Sequence, residues 1–111
     1  VIKKLGKIDT VTFGYCGYDG AMIGLYLRFS MSDSGSVAWS RATWAADPSP
    51  SANWTKESRI QFWGELVLFI RDTLDAAKKR DVQDLVGVPV ELTFEYELGR
   101  LTSWRVLTEV L

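Results

Sequence analysis

The chain has no histidine, and its single cysteine is Cys16. Without histidine it lacks the commonest general base and the commonest metal ligand. A zinc site would have to be built from one thiolate and carboxylates, which argues against a metal or other cofactor. A lone cysteine excludes an intrachain disulfide and points to a reducing, intracellular setting. An excess of one charge is also missing. There are 13 basic and 14 acidic residues, for a formal charge of −1. Such a chain has no surplus of positive charge to condense on a phosphate backbone, which argues against a nucleic-acid partner. Long apolar runs are absent as well. The stretch Trp63–Ile70 is interrupted by Gly64 and Glu65 and bounded by Arg71, too short to span a bilayer. The basic segment VIKKLGKIDT is not followed by the apolar core of a signal peptide. The expectation is a cytoplasmic protein with no membrane partner, and Asn53-Trp54-Thr55 reads as a helix entrance despite matching a glycosylation sequon.

What is present is a single globular domain over 1–111, 47% hydrophobic and 13% aromatic. The stretch Thr55–Arg80 organises it. Ile60, Trp63, Val67, Ile70, Leu74 and Ala77 recur at spacings of three and four, forming one apolar stripe of a helix. Phe62, Leu66, Phe69, Thr73 and Ala76 form a second stripe beside it. Thr55 is the leading N-cap candidate, with Asn53 the alternative and Glu57 favouring the helix dipole. Lys78, Lys79 and Arg80 fall in the predicted last turn, where they complement the dipole or, alternatively, touch nucleic acid.

Strand signals flank the helix. Lys7–Tyr15 alternates weakly, and Ala21–Met31 places Ala21, Ile23, Leu25, Leu27 and Phe29 on one apolar face. Between them, Gly14, Gly17 and Gly20 suit either a tight turn or a loop whose amides approach a ligand. Val37–Trp44 is a third strand, and 45–52, with two prolines, is a loop. Asp81–Val86 reads as one helical turn stopped by Gly87. Val88–Leu98 is the cleanest alternation, with Glu91, Glu95 and Glu97 on its outward face. Leu101–Leu111 returns beside it and brings Arg105 across from those glutamates. The fold class is α+β: an antiparallel sheet of about five strands, in the order β-β-β-α-β-β, packed on one long helix.

No residues stand at the spacing of a catalytic triad or a Cys–His pair, so the chain reads as a non-enzyme. The aromatic content points elsewhere: five Trp and four Tyr exceed what a core of this size needs. Arginine beside aromatic rings suits flat, anionic ligands, because guanidinium pairs with phosphate while the ring stacks on a base. Tyr15, Tyr18, Arg28, Trp39, Arg41, Trp104 and Arg105 are the candidate ligand-binding residues. A helix of about 26 residues extends roughly 39 Å at ~1.5 Å per residue, longer than a small sheet needs. With two apolar stripes, it predicts a homo-oligomer, at least a dimer, joined through Phe62, Leu66 and Phe69.

FGYCGYDGAMIGLYLRFS, with its GYxxAMIGL pattern, and LVGVPVELTFE followed by LTSWRVLTEVL resemble a family of small proteins encoded by tailed phages and prophages, generally without an assigned activity. The resemblance spans both ends of the chain, while Ser32–Asn53 has no counterpart in it. It implies a phage setting, hence the host cytoplasm, and no catalytic residues. The resulting expectation is a non-catalytic oligomeric phage protein that binds a small anionic or nucleotide-like ligand and sequesters a host immune signal, an anti-defence role. The alternatives are a protein-binding inhibitor or accessory of host or phage nucleic-acid machinery, using the Glu91, Glu95 and Glu97 face, and a small structural virion or assembly protein.

Overall fold

A β-bulge explains why the first strand is faint in the sequence. In the computed structural model, which describes residues 1–17, 20, 22–33, 35–43, 55–97 and 99–111, β1 runs Ile2–Cys16, beginning well before Lys7. The register shifts between Ile8 and Thr10. Ile2, Lys4, Gly6 and Ile8 therefore share a face with Val11, Phe13 and Tyr15 although their parity differs. Lys4 can occupy an inward position because its stem lies along apolar surface while its ammonium leaves it. The ammonium sits 5.6 Å from the centre of the Phe94 ring and pairs with Asp33 at 2.9 Å and Glu97 at 3.4 Å. The Lys4 hydrogen bond holds the Asp33 carboxyl below its usual range.

The remaining elements are β2 (Met22–Met31), β3 (Ser36–Thr43), α1 (Lys56–Ala77), β4 (Pro89–Phe94) and β5 (Leu101–Val106), with 3-10 turns at Val82–Leu85 and Thr108–Val110. The strands form one antiparallel sheet in the order β3-β2-β1-β4-β5, the predicted α+β architecture. Gly20 donates its N–H to the Gly17 carbonyl at 3.1 Å, and both have positive φ, so glycine here closes the β1–β2 turn. Tyr18, Trp44, loop 45–52 and the alternative cap Asn53 lie outside the described residues.

The core lies on one side of the sheet, with Ile8, Val11, Leu25, Leu27, Phe29, Val90, Leu92, Phe94 and Val106 buried together. The sheet curls around that core. β3 and β5 are the outermost strands, and a flat sheet would hold them about 19 Å apart at ~4.8 Å per strand, more than two indole side chains span. Yet the ring centroids of Trp39 on β3 and Trp104 on β5 are 5.4 Å apart. Phe69 of α1 enters between them, 5.3 Å from Trp39 and 5.9 Å from Trp104. The helix therefore lies across the concave side and joins the two edges.

Its start matches expectation. Thr55 caps α1 by accepting from the Ser58 N–H, and the Ser58 hydroxyl accepts from the Thr55 N–H, both at 3.0 Å, a reciprocal capping box. Its end does not. Lys78 takes a left-handed conformation just past Ala77, and Lys79 donates to the Leu74 carbonyl at 2.9 Å. Lys78–Arg80 are thus beyond the last turn.

Both stripes contribute to the buried side of the helix. Leu66 has 0% of its surface exposed and belongs to the core, and Phe62, Phe69 and Ala76 pack against it. Leu66 is thus buried within its own chain and Phe62 and Phe69 are partly so, which leaves little of the predicted Phe62, Leu66 and Phe69 oligomer surface exposed. From the other stripe Ala77 is buried and Trp63, Ile70 and Leu74 pack against the core, so the outward positions are Ile60 and Val67, each 62% exposed, and Leu68, 51% exposed. The length argument also falls. The helix has 22 residues, about 33 Å at ~1.5 Å each, within a molecule whose longest extent is 45 Å.

Two strand predictions were too long. β4 stops at Phe94, so Glu95 and Glu97 sit in the following turn and do not extend an acidic face with Glu91. β5 stops at Val106, and the chain turns into the Thr108–Val110 segment instead of continuing to Leu111.

Candidate functional site

Strand register decides which of the predicted ligand residues can meet. Side chains directly opposite each other on paired strands share a face. Phe13 pairs with Leu25, which pairs with Arg41; Val11 pairs with Leu27, which pairs with Trp39; and Tyr15 pairs with Ile23. Tyr15, Trp39 and Arg41 therefore lie in successive rows on the concave face. Trp104 joins them through the curl of the sheet. Arg28 and Arg105 lie on the convex face, Arg28 opposite Thr10 and Ala38, and Arg105 opposite Glu91. The predicted seven thus divide: four converge, two are across the sheet, and Tyr18 lies outside the described residues.

Within the converging group the tryptophans are structural first. Trp104 packs on Phe29 at 5.1 Å between ring centroids and on Trp39 and Phe69 as above. These tilted and edge-on contacts are the preferred geometries of aromatic quadrupoles. Toward the β1–β2 turn the same face opens. Phe13 is 52% and Tyr15 77% exposed, two large rings on one face of one strand. Phe13 was missed as a site residue, although its shared parity with Tyr15 was visible in the sequence. Phe69 was missed because it was assigned to an outward stripe.

Arg41 stands at the boundary between the packed and open regions. Its guanidinium carbon lies 5.3 Å from the Phe69 ring centre, within cation–π range. Its Nη2 is 3.8 Å from Glu65 Oε2, with both side chains partly exposed. That separation is beyond a hydrogen bond, so the ion pair is weak and screened. The ring holds one side of the guanidinium, while its N–H groups retain capacity for an incoming acceptor.

Arg105 is the opposite case. It donates to Glu91 at 3.2 Å through Nε and to both Glu109 oxygens at 2.9 and 2.8 Å through Nη1 and Nη2. This bidentate fork pins the C-terminal turn, and it leaves Arg105 a fastener for the tail. The hydrogen bonds from Arg105 pull the Glu109 carboxyl from 4.5 down to about 2. A depressed folded-state value means the clasp stabilises the fold fully above about pH 4.5 and is lost as the pH falls through about 2. A carboxyl-detected NMR titration is expected to place the Glu109 midpoint near 2, and Arg105→Ala should return it toward 4.5.

The convex face offers less. The Arg28 Nη2 lies 3.4 Å from the Tyr26 hydroxyl, and among the described residues no ring lies under its guanidinium. Glu91 is held by Arg105 at 3.2 Å and by Lys3 at 3.7 Å, and Glu97 by Lys4. The acidic face expected to recruit a cationic partner is divided and largely neutralised. Burial pushes the Cys16 thiol up, away from the thiolate that a nucleophile requires. No helix among the described residues is long and apolar enough to cross a membrane. No protein-family model, curated protein or solved structure matches this chain.

Proposed function

We propose that the chain is a non-catalytic binding module that takes a flat, anionic, nucleotide-like ligand on the open end of its concave face. The observation that carries this reading is Arg41, over the Phe69 ring and only loosely paired with Glu65, on the same sheet face as the exposed rings of Phe13, in its row across β2, and Tyr15, one row on. Arg41 would exchange its long contact to Glu65 for a bidentate pair with phosphate, a stronger charge-assisted geometry. Phe13 and Tyr15 would give a heterocycle an apolar face to stack on, worth about 1–3 kcal/mol per base. In the phage setting implied by the sequence resemblance, such a module acts by withdrawing a nucleotide signal of host immunity.

The test is a thermal-shift and calorimetric screen with linear and cyclic nucleotides, followed by two variants. A ligand from this panel is expected to raise the melting temperature, and Arg41→Ala to weaken it at least tenfold. Arg28→Ala, on the convex face, should leave affinity unchanged. Equal losses from both variants, or no shift with any nucleotide, would overturn the reading.

A further inference from the structure

Gly64 has no explanation within its own chain. It lies in the interior of α1, where glycine costs roughly 0.5–1 kcal/mol relative to alanine. A Cβ added there would meet nothing within 4 Å. Packing inside the chain therefore does not require glycine. Around it lies an apolar outward patch formed by Ile60, Trp63, Val67 and Leu68, with Lys56 and Arg59 at one end. A missing side chain at the centre of such a patch lets another backbone approach at the short end of the 8–10 Å range of helix pairs.

The charge pattern identifies that other backbone. In two antiparallel helices crossing at the same residue, the position n places before the crossing faces the position n places after it. About Gly64 this matches Ile60 with Leu68, apolar against apolar. It matches Glu57 with Arg71 and Lys56 with Asp72, each pair of opposite sign. In the parallel arrangement, like charges would face each other instead. Val67 meets Gln61, the one apolar–polar match on this face, and the remaining pairs are self-complementary under a two-fold axis through Gly64, which is the requirement of an isologous interface. Apart from half-buried Arg59 and Trp63 these side chains are exposed, and among the described residues Arg71 forms an ion pair only with the adjacent Asp72, at 2.8 Å.

We infer that α1 is the interface of an antiparallel homodimer, two copies crossing at Gly64 with Ile60, Val67 and Leu68 at the centre and the Glu57–Arg71 and Lys56–Asp72 pairs at the rim. The stripe from Lys56 to Asp72 is about 24 Å long at ~1.5 Å per residue. A single helix stripe of this length is a small contact beside the ~800 Å² per partner of a standard interface, the class of weak and transient pairing. The concave face is on the other side of the helix from this contact and remains open in both copies.

Sedimentation equilibrium across about 5–500 µM, a range suited to weak pairing, is expected to show a mass rising from 12.5 kDa to twice that value. Gly64→Ala should weaken association about tenfold while raising the melting temperature of the dilute monomer. A purely structural glycine would not produce these opposite signs. Glu57→Arg should weaken the dimer, and adding Arg71→Glu to it should restore association by reversing both partners together. A mass of 12.5 kDa at every concentration overturns the inference. So does a dimer that ignores Gly64→Ala and the charge exchange, since it would use another surface.

Discussion

Phe69→Ala is expected to destabilise the fold by about 3 kcal/mol, near the lower end for removing a buried phenyl ring because Phe69 is only partly enclosed. The loss has three parts. The ring touches Trp39 and Trp104 together, so its removal opens a cavity between the two sheet edges as well as under the helix. The tilted contact to Trp39 and the edge-on contact to Trp104, about 0.5–1.5 kcal/mol each, go with it. Arg41 also loses the ring over which its guanidinium lies, so ligand affinity should fall with stability. Leu68→Ala, one residue away and outward, is the control and should change unfolding free energy by less than about 0.5 kcal/mol. Urea unfolding of the two variants separates the two sides of the helix. If Leu68→Ala were the costlier change, the helix would be rotated from the orientation described.

Gly24→Ala should be nearly as damaging, by about 2–3 kcal/mol. A Cβ there would stand 2.3 Å from the Arg41 carbonyl oxygen and 2.6 Å from the Ala42 Cα. Both are backbone atoms, so no side-chain rotation relieves the contact, and β2 and β3 must separate beside Arg41. Hydrogen exchange should show the β3 amides losing protection before those of β4. The same substitution at Gly64 meets open space and should stabilise the isolated chain. Identical changes at two glycines thus differ in sign because one faces a neighbouring backbone and the other does not.

The order of elements, the cap at Thr55 and the inward face of β2 were all readable from local pattern, because each depends on residues close together in the chain. The orientation of the helix was not. The buried side draws on both stripes, and Thr73 makes its centre look more polar than it is. In the fold Thr73 donates its hydroxyl to the Phe69 carbonyl at 2.8 Å, and this bond within the helix satisfies the polar group that sequence reading counts against burial. The start of β1 was hidden by lysines and by the bulge that flips its alternation. The end of β5 was misjudged because the Arg105–Glu109 clasp turns the chain away. The site was only partly visible for a further reason. Tyr15, Trp39 and Arg41 share a face by simple parity, but the meeting of Trp39 and Trp104 depends on the curl of the whole sheet.

β1 pairs along its first half with β4, Ile2 with Phe94 and Lys7 with Pro89. That ladder closes a loop of about 90 residues, with a length-dependent entropic cost of about 4 kcal/mol, and it cannot form until the chain through Phe94 has been synthesised. During synthesis on the ribosome, the side of Ile2–Lys7 that will face β4 is an unpaired edge, although Gly6 and Lys7 already meet Met31 and Ser30 of β2 on the other side, and such an exposed edge can seed aggregation. Lys3, Lys4 and Lys7 place a charge at nearly every second position of that edge. The lysines that obscure the strand in the sequence are thus suited to guard it during the interval in which nothing else covers it.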